Sequence, residues 1–148
     1  MTEVTLKLDK VVLHRKTAGP MERRVPHNMS NMRMHWAQKN RWKKLWQYEV
    51  EEKVMINRKQ FGRLPLRKPT IIFTLQMCQP YDRDGAYHAV KPLLDALQVY
   101  KGIDKAGFPI PGAGVITEDS QDAIDLYVYT KKVPKRHLEG VIIDIKQK

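Results

Sequence analysis

No internal disulfide is open to this chain, because Cys78 is its only cysteine. That residue lies in the apolar run IIFTLQMCQ, where a buried small strand residue is the plain reading of a free thiol. A chain without disulfides fits a reducing, cytoplasmic setting. His27, His35, His88 and His137 show no zinc-type spacing with cysteines, so a structural zinc site is not expected. No apolar run approaches the ~18 residues that a membrane span needs, so no membrane partner is expected either. The first residues, MTEVTLKLDK, are charged and alternating, which is not the pattern of a secretory leader. No repeat, low-complexity tract or linker divides the sequence. Its 148 residues suit one domain spanning 1–148. Negative charge is scarce: 16 Asp and Glu stand against 27 Lys and Arg, a formal net charge of +11. So positive a chain favours a polyanionic partner, with nucleic acid first among candidates.

What is present is an ordinary globular balance, 42% hydrophobic and 29% charged. The segment EVTLKLDKVVLH places Val4, Leu6 and Leu8 on one side of a strand. TAGPMERRVPHNMS then reads as a loop. From about Asn31 to Asn57 the spacing changes to three and four, through Trp42, Leu45, Trp46, Val50 and Val54, which predicts a helix capped by Ser30 or Asn31. That spacing puts Trp42 and Trp46 in packing rather than in base contacts and leaves Trp36 open. TIIFTLQMC alternates as a strand with its apolar face on Ile71, Phe73, Leu75 and Met77. A second helix carries Val90, Leu93, Leu94 and Leu97, and Pro92 predicts that it starts or bends there. KGIDKAGFPIPGAG reads as a loop. QDAIDLYVYTKKV and EGVIIDIKQ read as two strands joined by PKRHLE. The order β-α-β-α-β-β predicts a small α+β domain, a mixed sheet with two main helices packed on it.

The chemistry is concentrated in PYDRDGAYHAVKPLLDALQ. Asp82 and Asp84 lie two apart. On an extended backbone both carboxylates project the same way. Like charges held together are costly without a cation between them. A hard divalent ion such as Mg²⁺, with Mn²⁺ as the second candidate, is the natural partner. Glu118 and Asp119, in GVITEDSQ just before the penultimate strand, are candidates to join them if that strand lies beside the first acidic one. Lys91, seven residues after Asp84, is placed to neutralise charge on a bound phosphate. The opposing reading makes Asp84 a helix cap and Asp82 a solvated turn residue. His88 reads as a helix-surface residue. Arg33, Lys39, Lys43 and Arg83 are candidate phosphate contacts or merely solvated charge.

The string D-R-D-G-A-Y-H-A-V-K-P-L-L-D-A-L followed by G-V-I-T-E-D-S-Q resembles the RusA family of Holliday junction resolvases, frequent in phages and prophages. That family shows D-x-D-N, a downstream K-P or K, then D-A-L or D-G-L, then G-V-x-x-D-D-S or close variants. VPHNMSNMRMHW is similar to the family's P-S-x-N region. The resemblance runs from Val4 to the last strand and is densest between Asp82 and Gln121. It implies that Asp82, Asp84 and Asp119 bind metal, that Lys91 is the active-site lysine, and that Asp95 has a structural role. It also implies a homodimer that sets two Mg²⁺-dependent sites on a four-way junction, each cutting one strand. Three departures stand out: Gly85 for the usual Asn, Glu118 for the first Asp of D-D-S, and a longer link between D-A-L and G-V over 99–114.

The expected activity is therefore a Mg²⁺-dependent, structure-selective endodeoxyribonuclease that resolves Holliday junctions in recombination and repair. The alternatives are a basic DNA-binding protein without catalysis, and a nuclease of the same chemistry whose substrate is a flap or fork.

Overall fold

The computed structural model describes residues 1–28 and 34–148. The expected Ser30 or Asn31 cap and the candidate contact Arg33 lie outside the described residues. The strands are β1 (Thr2–Leu8), β2 (Val11–Leu13), β3 (Met21–Arg23), β4 (Thr70–Met77), β5 (Tyr100–Ile103), β6 (Pro109–Pro111), β7 (Asp125–Lys132) and β8 (Gly140–Gln147). The helices are α1 (Trp36–Ile56), α2 (Arg58–Phe61) and α3 (Arg83–Leu97). The architecture is α+β, with a four-stranded sheet ordered β1-β8-β4-β7. Among the described residues no helix is long and apolar enough to cross a membrane.

Strand periodicity and register together build the core. β4 buries Ile71, Phe73, Leu75 and Met77 and leaves the residues between them half-buried. Ile145 stands opposite Ile71 on one side and opposite Val4 on the other, so the apolar sets of three strands share one face. Trp42, Trp46, Val50 and Val54 of α1 and Ala89, Val90, Leu93 and Leu97 of α3 close over that face. Each fully buried large side chain contributes about 1.5–3 kcal/mol relative to exposure.

The first strand segment breaks in two. At the break the Asp9 N–H donates to Glu49 Oε2 at 3.1 Å, and Lys53 Nζ meets Asp9 Oδ2 at 2.6 Å. These contacts fasten the corner to α1, so β2 leaves the main sheet and pairs with β3. The stretch expected as loop thus contains a strand. α1 begins at Trp36, five residues later than expected, with His35 Nδ1 accepting the Ala37 N–H at 3.2 Å. α3 does not start at Pro92; it runs from Arg83 to Leu97 through the proline, which is buried among its apolar residues. Proline has no N–H, so the His88 carbonyl forgoes its helical partner. The expected loop over KGIDKAGFPIPGAG is instead a two-stranded ribbon of β5 and β6.

Candidate functional site along α3

The chain leaves β4 and enters α3 through Asp82, which is the helix N-cap. Its backbone is extended, with φ −68° and ψ 175°, and its Oδ1 accepts the Gly85 N–H at 2.7 Å. Asp84 sits inside the first turn, where a negative charge meets the positive end of the helix dipole. Extended geometry therefore stops at Asp82. Helical positions two apart do not face each other, so the expected parallel projection of Asp82 and Asp84 does not occur. The capping alternative holds in kind but moves two residues upstream, from Asp84 to Asp82. Gly85 fits this corner closely: a Cβ there would lie 2.9 Å from Asp82 Oδ1 and 3.0 Å from Asn28 Nδ2. Tyr81 steadies the approach, donating its hydroxyl to the Pro26 carbonyl at 2.9 Å.

Asp119 reaches α3 by another route. The carbonyls at the C-terminal end of a helix lack helical partners. Here Ala113 N–H donates to Ala96 O at 2.8 Å, Gly114 N–H to Gln98 O at 3.1 Å and Val115 N–H to Leu97 O at 2.9 Å. Chain segment 113–116 is thereby fastened to the end of α3. The residues that follow turn back along the helix, and Asp119 Oδ2 accepts a hydrogen bond from Lys91 Nζ. Lys91 also pairs with Asp95 Oδ1 at 2.9 Å, one helical turn on. Burial by itself would pull the Lys91 ammonium down. The hydrogen bonds to Asp119 and Asp95 and their charges outweigh it, and the net shift is upward. Asp95, expected to be structural, is thus half of a carboxylate pair that grips Lys91.

The penultimate strand does lie beside the first acidic one, but the pair is parallel: Thr70 aligns with Asp125 and Met77 with Lys132. A parallel neighbour begins at the same end as its partner. The loop into β7 therefore arrives at the start of β4, while Asp82 follows its finish. α3 runs back between the two ends, and the seven positions from Asp84 to Lys91 span roughly 10 Å of helix. The loop consequently meets the helix at Lys91 rather than at Asp82 and Asp84. Among the described residues no group of three or more His, Cys, Asp or Glu side chains is gathered so as to hold a metal ion. The donors are carboxylate oxygens, the type that Mg²⁺ takes; their arrangement commits Asp119 to Lys91 and one oxygen of Asp82 to the cap. Glu118 is exposed and accepts the Ser120 hydroxyl at 2.9 Å.

The two acidic segments nonetheless border adjoining clefts. A cleft of about 420 Å³ is lined by Asp82, Arg83, Tyr87 and Tyr127, and a second of about 530 Å³ by Asp119, Ser120 and the same two tyrosines. Together they follow β7, an edge of the sheet, from the start of α3 to the loop that carries Asp119. Arg83 is exposed at one end, and Lys39 and Lys43 are half-buried on α1; none of the three forms an ion pair among the described residues. His88 is exposed on α3, as expected. Trp42 and Trp46 are fully buried and Trp36 is exposed. The tyrosines of the clefts were not singled out from sequence. Their signal was parity: Tyr127 and Tyr129 occupy the positions of DLYVYTKK that alternate with half-buried Leu126 and Val128.

Comparison with family models, with curated proteins and with solved structures returned no match to this chain.

Proposed function

We propose that the chain is a metal-dependent endodeoxyribonuclease of the RusA type that acts on branched DNA, with the four-way junction as its substrate. The observation that supports this reading is a pair of adjoining clefts, one lined by Asp82 and Arg83 and the other by Asp119 and Ser120, with Tyr87 and Tyr127 lining both. The surplus of cations supplies affinity for the phosphate backbone, which positions a protein on DNA without reading bases. The resemblance assigns Mg²⁺ or Mn²⁺ to Asp82, Asp84 and Asp119, with Glu118 adjoining, but the carboxylates as they stand do not fit an ion, because Asp119 is held at Lys91 and Asp82 caps α3. An ion there would require Asp119 to leave Lys91, and its chemistry would be water activation and stabilisation of charge on the phosphate. Asp119 is the carboxylate that Lys91 holds, so the ion and the ammonium draw on the same group. A homodimer would give the paired cuts that junction resolution requires.

The test is cleavage of a synthetic four-way junction with and without Mg²⁺, alongside flap and fork substrates. Asp82→Asn is the informative variant, because Asn caps a helix about as well as Asp while removing the charge. The variant is expected to bind junctions and fail to cut them; full cutting rejects the assignment.

A second reading, DNA binding without catalysis, draws on two observations: Asp82 caps α3, and Asp119 is neutralised by Lys91. It expects salt-sensitive binding and no nicking with any divalent ion.

A further inference from the structure

We propose that Tyr127 and Tyr129 form a platform on which unpaired bases of DNA stack, beside the adjoining clefts that Asp82 and Asp119 border. The inference rests on the reading of the chain as a DNA-binding protein and adds the part of the DNA that this edge takes.

Register gives the placement. Tyr127 aligns with Ile72 and Tyr129 with Thr74, and Ile72 and Thr74 belong to the face of β4 opposite its buried residues. Both rings therefore stand away from the packed core, and they are 47% and 55% exposed. A single exposed tyrosine is unremarkable on any protein. Two held parallel are a different case. The ring planes lie within 5° of each other and the centroids are 6.4 Å apart. The pair thus presents two π-faces already held parallel, and little side-chain freedom is lost when a base arrives. Tyr87, 37% exposed on α3, borders both clefts beside Tyr127 and extends the aromatic surface towards the helix.

Charge selects the occupant. Lys131 and Lys132 follow the rings on the same strand, and Arg83 lines the adjoining cleft, all three exposed. None of these cations forms an ion pair among the described residues. The acids that border the surface are Asp82, Asp119 and Asp125, of which Asp119 is paired with Lys91 and Asp125 lies 3.9 Å from Lys68. Aromatic faces interleaved with free cations are the means by which single strands are held without sequence preference. Branched DNA offers unstacked bases where its arms meet, and the platform would place such a base next to the acidic clefts.

The experiment is fluorescence anisotropy in EDTA with two labelled single-stranded DNA oligonucleotides of equal length, one thymine-bearing and one abasic. Wild type is expected to favour the base-bearing strand by roughly tenfold or more, the usual contribution of one or two stacked bases. Y127A/Y129A is expected to lose that preference and to keep the same salt slope, since its phosphate contacts remain. Y127F/Y129F is expected to retain the preference. The rings are exposed, so the variants should melt like wild type, which a thermal scan verifies. Preference unchanged in Y127A/Y129A overturns the platform while leaving DNA binding in place. A drop in sedimentation mass for that variant, with the preference unaltered, assigns the rings to contact with a second copy instead. A wild type that binds neither strand removes the DNA reading and the platform with it. Cleavage plays no part in the measurement, so loss of the nuclease assignment alone leaves the platform standing.

Discussion

Lys91 and Asp119, 28 positions apart in the chain, are joined by a direct ion pair, and it is the only side-chain bond between α3 and the T-E-D-S segment among the described residues. Asp95 holds the other side of the same ammonium at 2.9 Å.

Removing that ammonium should show as a change in alkaline behaviour more than in stability. The Lys91 side chain is 53% exposed, so screening keeps the net contribution of its pairs to no more than ~1 kcal/mol. Its folded pKa is raised, so the stabilisation is complete below the ordinary lysine value of ~10.4 and fades as pH climbs past it. Lys91→Met should therefore melt within a few degrees of wild type at pH 7 and lose less stability than wild type between pH 10 and 11. Urea midpoints at the two pH values decide it.

Gly112 carries a sharper expectation. A Cβ at this position would sit 2.2 Å from the Gln98 carbonyl oxygen, a backbone atom that cannot swing away. Gly112→Ala should cost about 1–3 kcal/mol, in the range of forced overpacking. It should also loosen the attachment of 113–116 to α3, exposing the amides of Ala113 and Val115 to faster hydrogen exchange. Gly19→Ala is the control, since nothing lies within 4 Å of its Cβ direction, and it should be close to neutral. Equal denaturation midpoints for the two variants would contradict the account.

His27 should give the protein an acid-sensitive margin. Its ring lies 5.1 Å from that of Trp42, and its Nδ1 is buried without a partner. Burial first, then the nearby Arg23 charge, lowers its pKa to about 4. A depressed histidine stays neutral in the fold while the unfolded chain takes up a proton below ~6.5. Stability from this source is complete above pH 6.5 and declines as pH falls towards 4. His27→Gln should flatten that part of the pH profile, as followed by thermal melts at pH 7, 6 and 5.

The cap at Asp82 can be separated from any catalytic duty. Asp82→Ala should cost about 1 kcal/mol and fray the start of α3, whereas Asp82→Asn and Asp82→Ser should stay near wild type. Gly85→Asn, which installs the residue usual in the RusA pattern, should push the Asp82 carboxylate off its 2.7 Å bond and resemble the alanine variant. Wild-type melting for Gly85→Asn would show that the corner has room the structure does not indicate.

Much of the frame could be read from the residues alone, because burial leaves a period. The odd positions of β4 and the three- and four-residue spacing of α1 follow directly from which side of each element meets the core. The short ribbons escaped because Met21–Arg23 and Pro109–Pro111 are three residues long, too few to show alternation. The turn chemistry around them, rich in glycine and proline, reads as loop. Of the two readings of Pro92, a helix start is excluded, because α3 begins nine residues earlier at Arg83. The acidic site was harder still. The adjacency of β4 and β7 entered only as a condition, and whether the two run parallel decides which end of α3 receives Asp119. No local pattern in GVITEDSQ encodes that direction; it is fixed by the path of the chain through α3 and along segment 113–116.

The ribbon of β5 and β6 has a consequence of its own. Its two ends already touch, with Gly112 N–H bonded to Val99 O at 2.9 Å, and Ile103 and Phe108 at its far end are 73% and 67% exposed. It hangs from the body as an appendage closed at its root. Residues can be added to or trimmed from its tip at little entropic cost, since closure depends only weakly on length. Length changes confined to the tip should accordingly leave Lys91 and Asp119 in place.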